Sequence, residues 1–95
     1  MKIVKVKKYA GTFAENKDVA RDLRVKRIMP ALKKDEEITL DFDQVTSATQ
    51  SFVHALISEP MRQYRDRTLD LILFKNCSPT VKEIINTVTE YMQES

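Results

Sequence analysis

In 95 residues the sequence has one glycine, one cysteine, one histidine and no tryptophan. Each scarcity excludes something. A single glycine, Gly11, argues against an all-β protein built on tight hairpins, whose turns need positive φ. A single cysteine, Cys77, allows no internal disulfide. With His54 as the only histidine, it also cannot build a structural zinc site within one chain. A lone thiol without staples fits a reducing, cytoplasmic setting. No apolar run approaches the ~20 residues of a membrane span. The first segment, MKIVKVKKYAG, interleaves lysines with apolar residues and lacks the separate apolar block of a signal peptide. An excess of one charge is missing too. The 16 basic and 14 acidic side chains leave +2, too balanced for strong nonspecific nucleic-acid binding. There is no internal repeat, low-complexity tract or long linker.

What is present is an ordinary globular composition, 42% hydrophobic and 32% charged, rather than a disordered one. The length suits one domain spanning residues 1–95. A chain of this size buries roughly 60–68% of its unfolded surface, so one modest core is expected.

Hydrophobic periodicity places the elements. Ile3 to Tyr9 reads as a strand, with Lys5, Lys7 and Lys8 marking an edge. Asn16 to Leu32 reads as helix, but its two halves are out of phase. Val19, Ala20 and Leu23 share one face, and Val25, Ile28, Met29 and Leu32 share another. Pro30 lacks an interior N–H donor, so a kink or break is expected between Val25 and Pro30. Ile38 to Phe42 alternates as a strand. Gln50 to Glu59 reads as a helix that Pro60 ends or kinks, and Leu69 to Phe74 as a strand covered on both faces. The last helix has Ser78 as N-cap and Pro79 at its first position. Val81, Ile84, Ile85, Val88 and Met92 then form one stripe. The order β-α-β-α-β-α implies parallel strands joined by right-handed crossovers, an α/β layer fold.

In such folds functional groups gather where strands end and helices begin. Two junctions stand out, Asp43 to Ser51 and Lys75 to Ser78. The first contains VTSATQSF, with small or polar residues from Thr46 to Ser51. Capping by Thr49 or Ser47 accounts for one or two of these hydroxyls, and Ser47 with Gln50 fits a capping box. It does not account for the whole cluster. The sharper reading is an anion-binding or phosphorylatable helix terminus, where a phosphate gains roughly 0.3–1 kcal/mol from the helix dipole. Its charge would then disturb a partner packed over that end.

Other chemistry finds less support. His54 lies one residue past Val53, turned from the helix tip, and reads as a surface histidine. Asp41 and Asp43 have no third ligand, so no metal site is expected. Cys77 precedes a helix N-terminus, which lowers a thiol pKa, but burial against the sheet is the commoner fate of a free cysteine. No glycine-rich phosphate loop and no cofactor motif is present, and no convergent acid–base set suggests an enzyme.

The segment ITLDFDQVTSATQSFVHAL resembles the STAS-like domains of unknown function. Their pattern is a strand ending in Asp-Phe, then Val, then a Thr-x-Ser-Phe turn into a helix, here Thr49-Gln50-Ser51-Phe52. GTFAENKDVARDL and FKNCSPTVKEII are similar to that family's N-terminal segment and last strand–helix junction, so the likeness covers nearly the whole chain. These domains are similar in turn to the STAS domains of bacterial anti-sigma factor antagonists. There the turn is Asp-Ser-Ser-Gly, and a kinase of the histidine-kinase-like ATPase fold phosphorylates its first Ser. The later Ser-Pro-x-Val-Lys is matched by Ser78, Pro79, Val81 and Lys82. In the turn, Thr49 stands for the Asp, Gln50 for the modified Ser, Ser51 for the second Ser and Phe52 for the Gly. Glutamine cannot be phosphorylated, so the switch is lost or has moved to Ser51 or Thr49. The longer N-terminus of STAS domains also supplies a strand that this chain lacks.

The resemblance implies a mixed sheet of about four strands or fewer with helices packed on it, and a role in protein–protein regulation. The expected function is a non-catalytic regulatory module whose partner is a histidine-kinase-like ATPase. It docks through Thr46, Ser47, Thr49, Gln50, Ser51, Phe52 and Ser78, with Ser51 and Thr49 as candidate phosphorylation sites. The alternative is a small-ligand or nucleotide sensor using the same helix-end anion site. No nucleic-acid or membrane partner is expected.

Overall fold

The computed structural model describes residues 2–94. Strand β1 (Lys2–Lys5) forms one edge of a three-stranded sheet, β3 (Ile38–Asp41) its centre and β5 (Ile72–Lys75) the other edge. All three run parallel, with Val4, Leu40 and Phe74 in register. The sheet is therefore not the mixed one that the resemblance implied. Of the lysines expected at an edge only Lys5 lies on the edge strand; Lys7 and Lys8 fall in the helix that follows, and the first strand is shorter than its alternation suggested. After Lys5 the chain turns into α1 (Val6–Ala10), which buries Val6 and half-buries Ala10. Those two residues are four apart, a helical spacing that the alternation concealed. Gly11, at φ 77° and ψ −166°, takes an extended positive-φ conformation open essentially to glycine alone, and donates its N–H to the Lys7 carbonyl to close the helix.

A second parallel ladder, two residues long, pairs β2 (Phe13–Ala14) with β4 (Ser47–Ala48). Sequence reading gave no sign of it, since two residues carry no period.

The first crossover contains α2 (Lys17–Leu23), a π-helical turn (Arg24–Ile28) and α3 (Met29–Lys33). Asn16 caps it, its side chain accepting from the N–H groups of Asp18 and Val19. The expected irregularity near Pro30 is the π turn, where the Met29 N–H donates to the Arg24 carbonyl. The wide turn explains the phase conflict. Leu23 and Ile28 are five residues apart, yet both are buried, because the extra residue is absorbed in the turn. Val25, expected beside Ile28, instead points to solvent at 53% exposure.

The second crossover contains α4 (Gln50–Tyr64) and α5 (Asp66–Leu71), separated by Arg65 at φ 50°. Pro60 does not end α4, which continues one turn beyond it. Met61 past the proline is buried, and the buried Thr68 hydroxyl donates to the Pro60 carbonyl at 2.8 Å. The apolar run from Leu69 also begins as helix. Leu69 and Leu71 pack against the core from α5, and the strand starts only at Ile72. A short apolar run does not distinguish a helix end from a strand.

Helix α6 (Pro79–Glu94) begins as its sequence indicated. The Ser78 hydroxyl accepts from the Val81 N–H at 3.1 Å. Val81, Ile85 and Val88 are buried and Ile84 and Met92 partly so. Helix α4 packs between α2 and α6. Both crossovers step the same way across the sheet, so right-handed connections put their helices on one side. That side carries Val4, Ile38, Leu40 and Ile72, all buried, and Phe74. Phe74 meets Ile85 and Lys82 of α6 across a small cleft. The other side carries Ile3, Thr39 and Leu73, with Ile3 55% exposed. The chain is thus an α/β domain with helices packed on a small parallel sheet. Among the described residues, no helix is long and apolar enough to cross a membrane.

Candidate functional site

The polar run follows the end of β3, where Phe42 and Val45 anchor the chain in the core. Thr46 is exposed, but its N–H and hydroxyl both donate to the Thr12 carbonyl, at 2.8 and 3.0 Å. Its own carbonyl accepts from the Ser78 hydroxyl at 3.1 Å. Ser78 therefore caps α6 and ties that helix to the turn. Ser47 is half-buried in the ladder beside Phe13. Thr49, not Ser47, is the N-cap of α4, its hydroxyl accepting from the Phe52 N–H at 3.1 Å.

This divides the expected docking residues. Thr46, Gln50 and Ser51 are exposed. Ser47, Thr49 and Ser78 are half-buried, and the hydroxyls of Thr49 and Ser78 hold helix caps. Phe52 must be withdrawn from the surface. It is fully buried, because the third helical position after the cap turns back onto the sheet. The turn therefore presents a tip of hydroxyl and amide groups over an apolar anchor.

Gln50 and Ser51 open onto a groove of about 440 Å³ between α4 and α6. His54 and Ala55 continue its α4 wall, Val88 and Tyr91 form the α6 wall, and Lys17 from the start of α2 lies at its rim. His54 is thus not turned from the helix tip as expected. It lies three residues after Ser51, on the same helix face, and is half-buried in the groove. Tyr91 is 65% exposed, an unusual state for an aromatic on a helix whose stripe is buried. Sequence reading missed it and Lys17. The available signal for Tyr91 was an aromatic three residues beyond Val88, at the border of the apolar stripe. Phe13, 46% exposed and paired with Ser47, was missed as well.

The neighbouring titratable groups are structural. Asp41 accepts from the Asn76 side-chain amide at 3.0 Å and from the Asp43 N–H at 2.9 Å. The Asn76 bond first, then the Asp43 bond, hold its carboxyl below the usual carboxylate range, helped by Lys5 and Lys75. Burial pushes the half-buried Cys77 thiol up, despite Lys82 nearby, so the thiolate is disfavoured there. Among the described residues, no three His, Cys, Asp or Glu side chains gather as a metal-binding group.

The site thus consists of the exposed polar groups of Thr46, Gln50 and Ser51 beside the groove between α4 and α6. No curated protein and no solved structure matches the chain. A family model does, over residues 20–82, a span from the middle of α2 through the polar turn and the groove's α4 wall to the first turn of α6. On that match, and on the parallel sheet and helix layer it accompanies, the chain belongs to the family described as the STAS-like domain of unknown function.

Proposed function

We propose that the chain is a non-catalytic regulatory module that binds a partner protein through the tip formed by Thr46, Gln50 and Ser51 and the adjoining groove. One observation carries this reading: Ser51 is exposed on the first turn of α4 and opens onto a groove walled by the largely exposed Tyr91. An aromatic with an apolar body and a polar tip is suited to protein contact. Ser51 is the modification site, in preference to Thr49, whose hydroxyl is engaged as the cap. The partner class is a histidine-kinase-like ATPase, which the STAS resemblance supports.

A phosphate on Ser51 would sit among the unpaired N–H groups of the first turn, gaining roughly 0.3–1 kcal/mol. It would leave the domain folded and carry about −2 charge into the docking tip. The test is incubation with an ATPase of that fold and ATP, with phosphate located by mass spectrometry, and binding of Ser51→Asp and Tyr91→Ala measured in parallel. Phosphate on Ser51 and weakened binding of both variants, with melting temperatures unchanged or raised for Ser51→Asp, are expected. Phosphate elsewhere would end the switch, and full binding by Tyr91→Ala would end the groove.

A second reading, a small-ligand or nucleotide sensor, draws on the same groove. Among the described residues its lining includes Lys17 and His54 and no carboxylate. A thermal-shift screen separates the two, since a ligand at 100-fold its Kd adds about 2.7 kcal/mol of stability.

A further inference from the structure

The total charge of +2 conceals a segregation. Residues 1–34 hold 11 of the 16 lysines and arginines and 3 of the 14 carboxylates, leaving +8; the remaining residues hold 5 and 11, leaving −6. Such an asymmetry along a chain points to a polyanionic partner. The fold keeps the basic segment together. It forms the outer strand β1, α1, β2 and the helical run from α2 through the π turn to α3, and α4 stands between that run and α6. Of the eleven cations only Arg24 forms an ion pair among the described residues, and all but Arg24 and Lys2 are exposed. Their charge is therefore not neutralised within the chain.

Exposed apolar side chains gather in the same segment. Of the five large hydrophobic residues exposed among those described, Ile3, Tyr9, Phe13 and Val25 lie in it and Tyr91 lies outside. Tyr9 and Phe13 sit on α1 and β2, which touch. Arg27 reaches from the π turn to Tyr9, its guanidinium 6.0 Å from the ring centre and an N–H donating to the Tyr9 hydroxyl at 3.0 Å. Lys8 adjoins Tyr9, and Lys26 adjoins Arg27. The extra residue of the π turn, which aligns Leu23 with Ile28, likewise sets Lys26 in line with Arg21. Two partly open aromatic rings thus lie among unpaired cations.

This combination selects among polyanions. A single strand offers its base faces to aromatic side chains between phosphates, and a duplex hides them. Membrane-surface anchors carry their apolar groups on one face of one helix. Here the four exposed apolar residues come from β1, α1, β2 and the π turn.

We infer that this flank is a binding surface for single-stranded nucleic acid. Phosphates lie against Lys8, Arg21 and Lys26, and bases stack on Tyr9 and Phe13. The shared chemistry, phosphodiester charge with open base faces, belongs to single-stranded DNA and to RNA alike.

Fluorescence anisotropy of labelled oligodeoxythymidylate and oligouridylate, each of about 20 nucleotides, with the intact chain tests this. Anisotropy saturates at low salt, and log affinity falls with log salt at a slope of about −2, from ~0.7 per phosphate at three contacts. Tighter binding of one oligonucleotide names the source. Tyr9→Ala and Phe13→Ala each weaken binding about tenfold, the worth of one stacked base. Lys8→Gln with Lys26→Gln reduces the slope by about 1.4. These lysines are exposed, so that variant keeps its circular dichroism and melting profile even if an aromatic variant does not. Lys82→Gln, on α6, changes nothing. An anisotropy that stays flat with both oligonucleotides overturns the inference. So does a duplex, a phosphatidylglycerol vesicle or poly-L-glutamate bound as tightly as the single strand. Single-strand binding indifferent to both aromatic variants, or a salt slope indifferent to the double lysine variant, overturns it as well.

Discussion

Asp41 ends β3 and holds two junctions at once. Its carboxylate fixes the turn that leads to the polar tip, through the Asp43 N–H, and the β5–α6 connection, through Asn76. Asn76 itself sits at φ 57°, a left-handed conformation that asparagine tolerates better than most residues. Because the carboxyl titrates lower when folded than the ordinary 3.8, its charge stabilises the fold above that value. The contribution is lost as pH falls through the folded pKa. Asp41→Asn should therefore lower stability at neutral pH and flatten its decline in acid, as read from urea unfolding at a series of pH values. Parts of the site were legible at this scale. Ser78 announced itself as a cap because Pro79 followed it, a pairing with one local meaning. Phe52 did not, since whether the third helical residue faces water depends on what the helix packs against. Lys17 and Tyr91 lie about 70 residues apart in sequence, and no local pattern joins them across a groove.

Two irregular helices meet through one side chain. Arg24, in the π turn, donates to the Ala55 carbonyl of α4 at 3.1 Å. Ala55 precedes Leu56, whose carbonyl loses its usual donor because Pro60 has no N–H. The Arg24 side chain is 17% exposed, whereas Glu59, its ion-pair partner at 3.8 Å, is 54% exposed. The hydrogen bond therefore outweighs the ion pair. Arg24→Ala should cost about 1.5–3 kcal/mol, the range for bonds to charged groups. Glu59→Gln should cost under about 1 kcal/mol. Chemical denaturation of both variants gives the comparison. The same irregularities mark the limits of sequence reading for elements. The phase conflict around Leu23 and Ile28 announced a kink or break, but not that a π turn would absorb an extra residue within a continuous helical run. Pro60 announced an end or a kink, and burial of Met61 and the Thr68 bond carried the helix past it. The core of β3 and the whole of α6 were legible because each is long or regular enough to repeat its period.

The described residues have a radius of gyration of 11.9 Å, against about 12 Å for a compact chain of this length, so no described segment strays from the body. That body contains no hairpin. All three ladders pair residues about 35 apart in sequence, as in Lys2 with Ile38, Phe13 with Ser47 and Ile38 with Ile72. Chains built on such distant pairings fold slowly for their size. Stopped-flow refolding should accordingly run in milliseconds or longer. A version truncated after Leu71 should show no cooperative melting, since β3 would lose one neighbour and α4 would lose α6. The same geometry matters during synthesis. The central and most buried strand, β3, is made well before β5, and its second flank stays unpaired until the final quarter of the chain emerges. For that interval a newly made molecule displays a bare strand edge to its surroundings, so its yield in a cell depends on how fast translation finishes and on whether a chaperone shields that edge first.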